Sequence, residues 1–111
     1  MAQKYGRIHA TPTFIAAYTD MRKKLRFRSP AACIALPSAM TAILDVMVEH
    51  PRAWPIKRKK LKGVEREFHL AIKDIAYRRL HVRYLVGESD ICYLLAVWVD
   101  GQDEPRYILE D

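Results

Sequence analysis

A chain of 111 residues, half of them apolar and 29% charged, has the size and composition of one folded domain with a hydrophobic core; this excludes a disordered or collagen-like chain. Nineteen Lys and Arg against thirteen Asp and Glu leave a net charge of +6, which favours polyanions or an acidic protein as partner. Two cysteines, Cys33 and Cys92, are too few for a disulfide framework or a zinc site, and both sit among apolar neighbours as buried thiols do.

The N-terminal segment MAQKYGRIHATPTF lacks the apolar run of a signal peptide, and no stretch approaches about 18 continuous apolar residues. A cytoplasmic protein with no membrane contact is expected. Residues 5–10 read as a short strand, with Tyr5, Arg7 and His9 alternating against Ile8 and Ala10. Thr11-Pro12 is a helix start, because Thr11 can cap and Pro12 suits the first helical position. Phe14, Ala17, Tyr18, Met21 and Leu25 then recur at helical spacing, which predicts a first helix over 12–25. Ser29-Pro30 offers an early start for the next helix, and Pro37-Ser38 interrupts it. From Ala39 to Val48 the apolar stripe of Met40, Ile43, Leu44, Met47 and Val48 marks a clear second helix. Pro51 and Pro55 end it and open a loop.

That loop holds Lys57-Arg58-Lys59-Lys60-Leu61-Lys62-Gly63, five cations in seven residues. From Arg52 to Lys62 six residues are cationic and none acidic, whereas from Asp100 to Asp111 five are acidic and Arg106 alone is basic. After Gly63 the period changes from 3.6 to 2. Phe68, Leu70 and Ile72 share one strand face; Leu80, Val82 and Tyr84 share another, with Arg79, His81 and Arg83 opposite them. Gly87 and Ser89-Asp90 form a hairpin turn before the apolar strand 91–99, and residues 107–109 can add a short edge strand after the Asp100-Gly101 turn. The order is β-α-α-β-β-β, an α+β domain spanning 1–111 in which two helices pack on a small, mostly antiparallel sheet.

Four segments in this order resemble the RelE/ParE superfamily of bacterial toxin–antitoxin toxins. RIHATPTFIAAYTDM is similar to the family's first strand and the Thr-Pro-x-Phe start of its first helix. ILDVMVEHPRAW resembles the end of its second helix, and KKLKGVEREFHLAI its Lys-Leu-x-Gly turn into a strand. YRRLHVRYLVGESDICYLLAVW resembles its Tyr-Arg-Leu strand, tight hairpin and following apolar strand. The likeness covers about residues 7–100, with an insertion-like stretch near 26–37.

The resemblance implies a basic toxin neutralised by an acidic or amphipathic antitoxin. It acts either as a ribosome-dependent messenger-RNA endoribonuclease of RelE type or as a DNA gyrase inhibitor of ParE type; a fold member without catalysis that binds nucleic acid or protein is a third reading. Fold alone does not choose between them. Metal-free RNA cleavage needs an activated 2′-OH, a neutralised phosphate and a protonated leaving oxygen. By the resemblance Arg79 takes the position of the strand arginine, and His69 that of a catalytic Lys or His on the preceding strand. His81 adds a second group able to move a proton near neutral pH, and Tyr107 a hydroxyl near the C-terminus. Lys73, Arg83 and Arg106 are further phosphate ligands. If the strands pair as expected, His69, Lys73, Arg79, His81 and Arg83 form one basic patch. Lys57, Arg58, Lys59, Lys60 and Lys62 then form a docking surface for RNA or an acidic antitoxin. The chain departs from the ribonuclease pattern at Ala71, where a second Lys is usual, and at Asp100-Gly101-Gln102, where a cation is usual. Nucleotide-loop and metalloprotease motifs are missing, and the four His and two Cys have no ligand spacing, so neither a metal nor a cofactor is expected.

Overall fold

In the computed structural model, which describes residues 4–61 and 63–100, the chain runs through strand β1 (Ile8–Ala10), helix α1 (Pro12–Arg28) and helix α2 (Pro30–Glu49). Strands β2 (Ile56–Leu61), β3 (Val64–Ile75), β4 (Arg78–Val86) and β5 (Cys92–Val99) follow. They form one mixed five-stranded sheet in the order β1-β5-β4-β3-β2, with β1 parallel to β5 and the other neighbours antiparallel. This is the expected α+β arrangement of two helices on a sheet, with one more strand than expected.

Thr11 couples the sheet to α1. Its hydroxyl accepts from the Phe14 N–H at 3.2 Å and donates to the Leu94 carbonyl at 2.8 Å, so one side chain caps the helix and continues the β1–β5 pairing. Phe14, Met21 and Leu25 of α1 and Leu36, Met40, Ile43 and Met47 of α2 fill one core with Ala71, Leu80, Val82, Tyr84, Leu94 and Val97 of the sheet. Both helices therefore lie on the same face.

Two expectations are corrected. Pro37 does not interrupt the second helix, which runs unbroken from Pro30 to Glu49 with Pro37 inside it and exposed. An internal proline removes one backbone hydrogen bond, but Ala32 and Leu36 before it and Ala39, Met40 and Ile43 after it are all buried against the same core, which outweighs that loss. The insertion-like stretch is thus the end of α1 and the first turns of α2. By composition α2 is long and apolar enough to cross a membrane, yet its inward stripe is core.

The basic segment is likewise not a loop. Lys57 to Leu61 belong to β2, the edge strand, where Arg58 stands opposite Glu67 and Lys60 opposite Glu65. The Arg58 guanidinium meets the Glu67 carboxylate at 3.1 Å. A strand polar on both faces carries no period-2 signal, so only pairing reveals it, and its charge discourages edge-to-edge association. The β2–β3 connection passes through Gly63 at φ +80°, a left-handed position where glycine has no steric cost. The hairpin expected at Gly87-Ser89-Asp90 does join β4 to β5, closed by the Gly87 N–H on the Ile91 carbonyl at 2.8 Å. The strand expected at 107–109 lies outside the described residues.

Candidate nucleic-acid interface

Directly opposed residues in a sheet share a face, so register decides which candidate residues meet. His69 stands opposite Tyr84, Ala71 opposite Val82 and Lys73 opposite Leu80, which places His69, Ala71, Lys73 and Ile75 on the helix-covered side. Leu70 stands opposite Arg83, Ile72 opposite His81 and Asp74 opposite Arg79, on the other side. The single basic patch expected from the sequence is therefore split between the two faces of the sheet. The phase of β3 relative to β4 is the cause: His69 and Lys73 of β3 align with Tyr84 and Leu80 of β4 rather than with Arg79, His81 and Arg83.

On the helix side His69 is a buried structural group, 7% exposed. Its Nδ1–H donates to the Trp54 carbonyl at 2.7 Å, since a carbonyl can only accept, and its ring stacks on Tyr84 at 5.1 Å. Tyr84, itself fully buried, donates its hydroxyl to the Pro51 carbonyl at 2.6 Å, and burial raises its pKa. Together these two side chains hold the segment after α2 onto β3 and β4. Lys73 is exposed on the same side, away from Arg79 and His81.

The opposite face carries the remaining candidates in rows across the strands. Arg83 is 7% exposed and lies over two rings, 6.0 Å from Phe68 and 5.2 Å from Trp98. Such stacking holds a guanidinium flat while keeping its charge. Burial makes Arg83 a fixed positive element of the face rather than the exposed phosphate ligand expected. His81 stacks parallel on Trp98, 5.1 Å between centroids and 3° between planes, and its Nε2–H donates to the Asp100 carboxylate at 2.8 Å. That bond holds the Asp100 carboxyl below its ordinary pKa. His81 Nδ1 is buried and has no hydrogen-bond partner among the described residues.

Arg79 is the accessible cation of this group, its side chain 64% exposed and its nearest carboxylate, Asp74, 3.9 Å away and 88% exposed. A pair so loose and so wet competes poorly with an incoming phosphate. On the edge, Lys57 stands opposite Phe68 and so extends this face, while Arg58 and Lys60 are exposed on the alternate side of β2. Lys59 stands opposite Arg66 in register. Lys62, Arg106 and Tyr107 lie outside the described residues.

The face opposite the helices thus carries Lys57, Arg79, His81 and Arg83, with Arg83 buried against the rings of Phe68 and Trp98 and His81 stacked on Trp98. Sequence reasoning found the cations by their alternation but missed the rings, and it read Asp100 only as a departure from pattern rather than as the partner of His81. Part of the reason is a bulge: Arg83 is opposite Ala96 but Tyr84 is opposite Leu94, so Leu95 is extra and reverses the alternation within β5. Trp98 then shares a face with Tyr93 despite an odd spacing. Comparison of the chain with family models, with curated proteins and with solved structures gives no match.

Proposed function

We propose that this chain is a toxin of RelE/ParE type that cleaves messenger RNA in the ribosome and so stops translation, with an acidic or amphipathic antitoxin as its neutralising partner. The observation that carries this reading is the sheet face opposite the helices, where Arg79 is exposed at the margin, two residues from His81, with the ring-held and buried Arg83 further along the strand. In such a reaction the 2′-oxygen attacks the adjacent phosphorus and the bond to the 5′-oxygen breaks. The products are a 2′,3′-cyclic phosphate and a 5′-hydroxyl. Arg79 balances the charge that builds on the phosphate oxygens, with Arg83 adding fixed positive potential from below. His81 takes the 2′-OH proton on Nε2 in the tautomer that carries its hydrogen on Nδ1, with Nε2 turned from Asp100, and water protonates the leaving 5′-oxygen. Lys57 on β2, which extends this face, holds a flanking phosphate, a sequence-independent and salt-sensitive contribution.

A second reading, a ParE-like toxin that binds gyrase without catalysis, is favoured by one specific feature. His81 is the sole imidazole on the β2–β4 part of this face among the described residues, and it is already engaged by Trp98 and Asp100. A binding surface needs no proton transfer. The two readings separate in one experiment: induce the chain, map messenger-RNA 5′ ends by primer extension, and assay gyrase supercoiling in parallel. New ends that disappear with Arg79→Ala support the ribonuclease. Intact messages with blocked supercoiling establish the gyrase reading instead.

A further inference from the structure

The hairpin joining β3 to β4 turns within two residues, Ala76 and Tyr77, since Ile75 stands opposite Arg78. Ala76 is held at φ +51°, and the Arg78 N–H closes on the Ala76 carbonyl at 2.7 Å. A left-handed first turn position suits glycine; an L-residue with a Cβ occupies it at a cost. The side chain that this strained turn presents is Tyr77, which is fully exposed at 106% relative accessibility and so gains no burial. Strain spent on presenting an aromatic ring to solvent is the pattern of a recognition residue.

The surroundings of Tyr77 indicate what it recognises. Two residues further on lies Arg79, exposed on the sheet face opposite the helices, and across the hairpin Lys73 is exposed on the helix side. Asp74 is the acidic side chain of this hairpin. An exposed ring two residues from an exposed arginine suits an unpaired nucleobase, whose π-face stacks on the ring while its backbone meets the cation. We infer that Tyr77 is a base-stacking residue for single-stranded RNA, holding the nucleotide next to the one whose phosphate Arg79 binds. This rests on the reading of the Arg79 side of the sheet as an RNA surface.

The test uses the full chain and a short single-stranded RNA with one 2-aminopurine, whose fluorescence falls when it stacks on an aromatic ring. Tyr77→Ala is expected to weaken binding about five- to a hundredfold and to abolish the quenching at one position of the probe. Tyr77→Phe keeps the π-face and is expected to restore both. Ala76→Gly, which relaxes the turn without touching the ring, is expected to leave both unchanged. If Tyr77→Ala binds and quenches like the parent while Arg79→Ala loses affinity, the stacking role is overturned and the RNA surface stands. If the parent chain shows no salt-dependent affinity for the probe, the RNA surface itself falls, and the stacking role with it.

Discussion

His69 offers the sharpest separation of structure from chemistry. Replacing it with Ala removes the Nδ1–H···O bond to Trp54, leaves that carbonyl without this donor, ends the stack on Tyr84 and opens space beneath the helices. The hydrogen bond is worth about 1 kcal/mol, the ring pair about 0.5–1.5 kcal/mol, and the truncation of a buried ring adds to both. A loss of about 2–4 kcal/mol is expected, a large part of the stability of a domain this size. Urea unfolding followed by far-UV circular dichroism should show the midpoint falling by at least about 1 M. On the proposed ribonuclease reading, messenger-RNA cleavage measured well below that midpoint should stay within about threefold of the parent, because His69 lies on the face away from Arg79. An unchanged midpoint with lost cleavage would refute the structural assignment and return His69 to the reaction.

Arg79→Ala should behave in the opposite way: its side chain is mostly exposed, so stability should change by less than about 0.5 kcal/mol while messenger-RNA cleavage collapses. Thr11→Ala removes the cap of α1 and the side-chain bond to Leu94, and should cost about 1–2 kcal/mol in thermal or chemical unfolding; no loss would mean that the backbone pairing with Leu94 suffices. Because His81 depresses the Asp100 pKa, the stabilisation from this contact is present above the unfolded-state pKa of Asp100 and is lost as pH falls through the folded-state value. Asp100→Asn should therefore flatten the acid limb of the stability–pH profile, and an unaltered limb would show that the contact contributes nothing to folding. On the proposed reading, replacing Lys57 by Gln should lower RNA affinity and reduce the salt slope by roughly one phosphate contact, whereas Lys60→Gln on the other side of β2 should change neither; equal effects would place the RNA across both sides of the edge.

Much of this protein was legible in residue order. The Thr11-Pro12 signal, the Phe14–Leu25 spacing and the Met40–Met47 stripe placed both helices, because a helix buries one face by local geometry alone. Alternation placed β3 and β4 and put Arg79, His81 and Arg83 on one side of their strand, and a nearly continuous apolar run after the hairpin turn placed β5. Such features depend on neighbours within a few residues, and sequence records them directly.

What the tertiary structure decided is which faces meet. Lys57–Leu61 became a strand through pairing with β3, since its own pattern contains no face to bury. Pro37 stayed inside α2 because the core on either side holds the helix together. The register of β3 against β4 sent His69 under the helices, and the Leu95 bulge brought Trp98 beneath Arg83 and His81. A shift of one residue in either pairing exchanges those faces, and the energy that fixes the shift comes from side chains far apart in the chain. Composition and periodicity thus determined a basic α+β domain; long-range packing determined which of its cations stand together.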